Sequence, residues 1–364
     1  MMRQSGRELA PSWLDVDLGA LRRNGEAMAE RAGVPLLPMV KADAYGLGVL
    51  PVVRALEPLR PWGYGVASVR EGAELRAGGV ERPVLVFTPL LPAEFVYARA
   101  ARLTPVLGDP AAIGAWVEAD PAAPWQLGID TGMGRAGIRW DRVGELADLV
   151  RRAPPAGACT HFHSAELDDG SLVEQAARFG QSLAALPARP PLVHAENSAA
   201  LLRGAGRSPW DLARPGIFLY GVSTLGEAGP RAEPVVALAA FVVEVRELRD
   251  GDSVSYDATY HARGCRRIAT AAVGYGDGYR RSLSNRGSAL VRGQLAPVAG
   301  LVTMDMTMLD VTGMACEAGD VATFIGPGEL DVASVARAAD LSPYELLVGL
   351  RLRVERRYTR RGPG

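Results

Sequence analysis

Eight short apolar runs, each followed by a stretch of helical periodicity, constrain this chain more than any other feature. They lie at 35–40, 62–67, 83–87, 103–107, 125–130, 157–162, 191–195 and 216–220. Between them, segments such as 69–77 and 170–186 carry apolar residues at helical spacing. Strands buried on both faces and alternating with helices make a parallel sheet, and eight of them match a TIM-type (β/α)8 barrel. An open doubly wound sheet is the alternative, but no GxGxxG follows the first run. Ahead of the series, 12–18 alternates like a strand and 19–33 reads as a helix.

The pattern changes near residue 230, where Gly229-Pro230 and Glu233-Pro234 punctuate the chain. β-rich stretches follow at 235–248, 253–260, 267–274, 288–292 and 301–311, with Gly and charged turns between them. Residues 1–232 are therefore expected to form the barrel, and residues 233–364 a smaller, mostly antiparallel domain. Helices are expected at 331–339 and 343–350, a closing strand at 352–357 and a frayed tail at 360–364. A formal net charge of −1 gives no electrostatic footprint for nucleic acid or an anionic membrane. The first eleven residues hold no apolar signal-peptide core, and the longest apolar run, 235–243, is too short to span a bilayer. Cys159, Cys265 and Cys316 lie far apart with no CxxC. The expectation is a cytoplasmic protein without structural metal or disulfides.

Of the 40 basic side chains, 39 are arginine, and the only lysine is Lys41. On a solvated surface either cation serves, so a position that keeps lysine needs its primary amine, which can lose a proton and attack a carbonyl. Lys41 falls where the first strand runs out, and chemistry in such barrels sits at the C-terminal strand ends. Tyr45 shares its loop. The fifth strand ends in DTGMGRAG (130–137), where glycines admit a ligand and Arg135 could fork onto a carboxylate. The sixth ends in THFHS (160–164); alternation sends His161 and His163 to one side, but no carboxylate cluster supports a metal pair. The seventh and eighth lead into Asn197-Ser198 and RPGI (214–217). There Ser198 and the amides of Gly216 and Ile217 could meet a phosphate, Asn-Ser also being an ordinary helix cap. Tyr256, Tyr260, Tyr275 and Tyr279 cluster in VSYDATY (254–260) and VGYGDGY (273–279), which alone would read as strand packing.

Together KADAYG, DTGMGRAG, THF, NSAA, RPGI, VSYDATY and VGYGDGY closely resemble the alanine racemases, in family order from Trp13 to about Val354. The resemblance implies a cytoplasmic homodimeric isomerase, with pyridoxal 5'-phosphate (PLP) joined to Lys41 as a Schiff base, supplying D-alanine for peptidoglycan. It implies that Lys41 and Tyr256 are the two acid/base residues, Tyr256 reaching across a head-to-tail dimer into the other barrel. Proton removal on one face of a flat carbanion and delivery on the other suits two bases of different origin. A tyrosine with pKa of about 10 needs cationic neighbours to act as a base at neutral pH. By analogy His161 and Arg214 supply that chain. Arg214 is further implied to face the pyridine nitrogen, where a cation that does not hand over its proton favours plain racemisation. Tyr45, Asn197, Ser198, Gly216 and Ile217 match the cofactor cradle. Arg135 and the Met304 amide match the substrate-carboxylate site, and Tyr275 and Asp305 the entrance.

Four positions depart from the family pattern. Gly128 stands where many relatives carry a lysine that orients the equivalent of Arg135, and Leu352 where some have a phosphate-binding tyrosine. Leu47 replaces a common histidine, and His163 a small residue. A racemase of broader range, accepting serine or other small amino acids, fits the same residues. A related barrel decarboxylase would want an acid at the position of Arg214. A non-enzymatic PLP-holding barrel would lack the second domain with Tyr256.

Overall fold

The structure is a computed structural model that describes residues 10–204, 207–225 and 229–360. The 360–364 tail and the start of the chain, 1–9, fall outside these, apart from Arg360. Six parallel strands stand side by side in chain order: Tyr64–Val66, Val84–Val86, Thr104–Leu107, Gln126–Asp130, Gly157–Cys159 and Val193–His194. The short Ile138–Arg139 strand pairs with the outer end of Gln126–Asp130. The ring closes through isolated parallel bridges, His194 to Leu212, Ala213 to Leu36, and Met39 to Gly65. Eight staves result. The seam is irregular because Pro35, Pro38 and Pro215 lie in it, and a proline has no N–H for the ladder. Their carbonyls still serve: Ala213, Gly65 and Met39 donate their backbone N–H to Pro35, Pro38 and Pro215 at 3.2, 2.9 and 2.9 Å.

The eighth stave differs from expectation. Residues 212–213 pair in the barrel, whereas 216–220 winds as a tight turn with Leu219 and Tyr220 bonded back to Gly216 and Ile217. Apolarity alone did not separate a buried turn from a buried strand; Phe218, Leu219 and Tyr220 are all buried.

Helices follow the staves, among them Val69–Ala77 and Ser171–Ala184. Ser68 and Glu71 form a reciprocal capping box on the first of these. The N-terminal strand, Ser12–Asp17, leaves the barrel entirely. It pairs antiparallel with Val236–Leu248 and parallel with Glu355–Thr359 in the second sheet. Asp17 ends that strand and caps the barrel helix Leu18–Ala32 through Gly19 and Ala20 N–H, at 2.8 and 3.1 Å. One continuous apolar core spans both sheets.

The second sheet runs Gln294–Pro297, Ser288–Val291, Val321–Ile325, Val236–Leu248, Ser12–Asp17, Glu355–Thr359. Arg266–Ala271 and Thr307–Asp310 extend from the far half of Val236–Leu248. The 253–260 stretch is not one strand. Ser253–Val254 and Tyr260–His261 pair as a small ribbon whose tip, Tyr256–Ala258, is a 3-10 turn.

Candidate active site

Lys41 opens a turn wound left-handed. Ala42, Asp43, Ala44 and Tyr45 have φ of +53°, +53°, +51° and +57°. None is glycine, so each costs about 1–2 kcal/mol against the right-handed form. Such strain persists only where the surroundings over-determine it. Here Ala42 N–H donates to Glu71 Oε1 at 2.8 Å, while Val49 N–H donates to the Asp43 carboxylate at 2.7 Å. The turn delivers Tyr45 to the core, stacked on Tyr220 with centroids 4.3 Å apart, and leaves Lys41 on the cleft wall.

The cleft is about 440 Å3, and Lys41, Arg135, His161, Arg214, Phe87 and Gly128 are among its lining. Arg135 rides on a turn that Asp130 fixes by accepting Gly132 and Gly134 N–H at 3.0 and 3.1 Å. Behind it Gly108 and Gly137 touch so closely that a Cβ on Gly108 would lie 2.3 Å from Gly137 Cα. Arg135 has no hydrogen-bond partner among the described residues. Gly128 leaves the neighbouring wall bare. Three cations around one pocket suit an anionic ligand.

Arg214 is the most constrained of them. It is 3% exposed. Nη1 bonds His194 Nδ1 at 2.6 Å, and Nη2 donates to the carbonyls of Thr160 and Ala195 at 2.6 and 2.9 Å. Nη2 also lies 3.4 Å from His161 Nδ1. His194 Nε2 sits 2.6 Å from Gln126 Oε1, which can only accept from the ring. That assigns the proton to Nε2 and leaves Nδ1 to accept from Arg214. The relay Gln126–His194–Arg214–His161 therefore joins two staves and the connections that follow two others. His194 and Gln126 fall in no motif that marks them in the sequence. The available signal was a polar pair, at the start of one strand and the end of another, within runs otherwise apolar.

Burial lowers the Lys41 amine below the usual lysine range, with Arg135 and Arg214 adding repulsion against Glu71. Burial likewise pushes His161 down to about 3, helped by Arg214, Arg135 and Lys41. His194 is also held neutral, by burial and Arg214. Both histidines take up protons near pH 6.5 only when unfolded, so their contribution is full above that pH and is lost as pH falls. Glu196, raised by burial, works in the opposite sense. Each histidine adds a slope of up to about 1.4 kcal/mol per pH unit, so urea midpoints should fall between pH 6.5 and 5. A flat or rising midpoint would show that neither is neutral in the fold.

Of the residues expected to cradle a phosphate, Tyr45, Ser198 and Gly216 lie side by side. A Cβ on Gly216 would lie 2.6 Å from the Tyr45 hydroxyl, so glycine opens that space. Ser198 Oγ accepts Gly216 N–H at 2.9 Å, and Ile217 N–H has no partner among the described residues. Asn197 is the helix cap, its Oδ1 on Ala200 N–H at 3.0 Å and its Nδ2 on the Phe162 carbonyl at 3.3 Å. His163 does not share His161's side. The strand stops at Cys159, alternation ends with it, and His163 is exposed with Nδ1 on Ser164 at 2.6 Å.

Tyr256, Tyr275, Met304 and Asp305 do not line this cleft. They are exposed on the second domain, Tyr256 by 71%. The Tyr256 turn is anchored by Ser255 Oγ donating to the Leu301 carbonyl at 2.7 Å, and contains Asp257 and Ala258 at φ +57° and +46°. Asp305 is paired with Arg353 at 2.9 Å. Leu352 is 85% exposed, and Leu47 is buried apolar core.

A parallel barrel with one lysine amine among cations at its mouth, sharing its core with a mostly antiparallel domain, defines a barrel-plus-β-domain class suited to an anionic, carbonyl-bearing ligand. Residues 16–224 match the family described as alanine racemase, N-terminal domain, and 235–358 the alanine racemase C-terminal domain. The chain belongs to the alanine racemase family. It is 38% identical to the alanine racemase of Geobacter sp. (strain M21) over 380 residues, covering 95% of this chain and 98% of that protein. The alanine racemase of Streptomyces coelicolor A3(2) superposes with TM-score 0.90 at 32% identity, over 97% of this chain and 99% of that one. That of Bartonella henselae, solved with covalently bound pyridoxal phosphate, does so with TM-score 0.90 at 27% identity, over 96% and 100%.

Proposed function

We propose that the protein interconverts L- and D-alanine, using pyridoxal 5'-phosphate held on Lys41. The observation that carries this reading is the only lysine of the chain, its amine pKa lowered, on a cleft wall beside Arg135 and Arg214. The residues fit the cofactor: an amine for the carbonyl, and a cradle of Tyr45, Ser198 and the amides of Gly216 and Ile217 at the phosphate. When bound, pyridoxal phosphate supplies an electron sink that acidifies the α-proton of an amino acid joined to it. Lys41 takes or returns that proton on one face, its lowered pKa raising the fraction of neutral amine at pH 7. Arg135 holds the substrate carboxylate. Arg214, locked by His194 and two carbonyls, would meet the ring nitrogen as a cation that does not give up its proton.

Tyr256 is assigned as the second base, acting in the barrel of a second copy. Its absence from the lining of its own cleft and its exposure on an anchored turn support that assignment. The Met304 amide, Tyr275 and Asp305 travel with it. In this reading 1–232 supplies the cofactor barrel and 233–364 the residues donated to the partner, in a cytoplasmic homodimer feeding peptidoglycan synthesis.

The decisive assay is chiral amino-acid analysis of the PLP-saturated protein incubated with L-alanine. D-alanine should rise to an equal mixture. Its absence, with bound PLP evident by absorbance, would redirect the assignment to another amino acid, Gly128 being the first position to restore.

A further inference from the structure

We propose that Arg356 and Tyr358, on the closing strand of the second domain, are positioning residues for Lys41. This rests on the reading of Lys41 as the cofactor lysine. Glu355–Thr359 lies parallel to Ser12–Asp17, with Arg356 opposite Leu14 and Tyr358 opposite Val16. Two residues apart on one strand, their side chains leave the same face. Both reach the loop that follows Lys41. Arg356 Nη2 and Nε donate to the Gly46 carbonyl at 3.0 and 3.2 Å, and the Tyr358 hydroxyl donates to the Leu47 carbonyl at 2.9 Å. The same guanidinium holds the carbonyls of Leu350, Arg351 and Val354, at 3.1, 2.6 and 2.8 Å. Arg356 thus stitches the lysine turn of the barrel to the connection that leads into the closing strand.

The loop is shaped to receive this clamp. Gly46 and Gly48 have φ of +84° and +93°. A Cβ on Gly46 would meet the Leu347 carbonyl at 2.8 Å, and one on Gly48 would overlap the Tyr358 hydroxyl. A left-handed turn of four non-glycine residues needs restraint at both ends. Glu71 grips its start through Ala42, and Arg356 and Tyr358 grip its exit. The domain that carries Tyr256 therefore also sets where Lys41 stands.

The test uses full-length Tyr358→Phe and Arg356→Lys. Amide exchange at 44–49 should quicken while the Val236–Leu248 strand keeps its protection. The PLP dissociation constant should rise about five- to ten-fold per variant, as for loss of one hydrogen bond. The pH midpoint of the bound-PLP absorbance should shift, and kcat should fall with KM for alanine within about two-fold of wild type. Unchanged exchange and unchanged PLP affinity in Tyr358→Phe, which removes a single hydroxyl and should fold, would overturn the clamp. Borohydride reduction and peptide mapping of the wild type test the underlying reading separately. If PLP is not found on Lys41, both fall; if it is, and the variants behave as wild type, only the clamp does.

Discussion

Lys41→Ala is expected to lose racemisation by on the order of 10⁴-fold or more, together with the visible absorbance of covalently held PLP. The size follows from two losses at one atom. The alanine side chain cannot bond the cofactor carbonyl, and it cannot move a proton on its face of the substrate. Lys41→Arg isolates this from charge, since guanidinium keeps the cation but cannot form a Schiff base. It should be as inactive as the alanine variant. Turnover retained in either variant would sink the assignment. The fold should survive, because the Lys41 side chain lines the cleft and makes no hydrogen bond among the described residues.

Tyr256→Phe should keep PLP and lose about 10²- to 10⁴-fold in turnover, the range for a positioned acid/base group. Its signature is asymmetry. In D2O the α-hydrogen of D-alanine should still exchange through Lys41, while exchange from L-alanine falls. Equal, undiminished exchange from both enantiomers would overturn the two-base reading. Mixing offers a sharper check on the subunit question. Lys41→Ala and Tyr256→Phe chains, unfolded and refolded together, should recover about a quarter of wild-type activity, since half the dimers carry one intact site. If both bases came from one chain, no mixed dimer would have an intact site.

Several elements were legible because local chemistry dictates them. The helix at 69–77 is announced by its helical spacing, and the fifth strand by a run that ends at Asp130. The lone lysine among 40 basic side chains could be read without a fold, and it is what singles Lys41 out for the proposed cofactor role. Other features could not be read so. The partners of Ser12–Asp17 lie more than two hundred residues away, and alternation says that a strand exists without saying which sheet takes it. The eighth stave lies at 212–213 and not at 216–220, because buried turns and buried strands share composition.

Sequence by itself determined the periodicities, the punctuation near residue 230, the single amine and the order of the motifs. These are consequences of side-chain chemistry and of spacing along the chain. Only the tertiary structure decided the rest. It put His194 and Gln126 behind Arg214, wound Ala42–Tyr45 left-handed, and laid Arg356 and Tyr358 on the loop beyond Lys41. Each of these is a contact between residues remote in sequence, and a hydrogen bond is specified by position to a few tenths of an ångström. No window of the chain carries that position. It emerges when one core packs both sheets together and fixes where every strand ends.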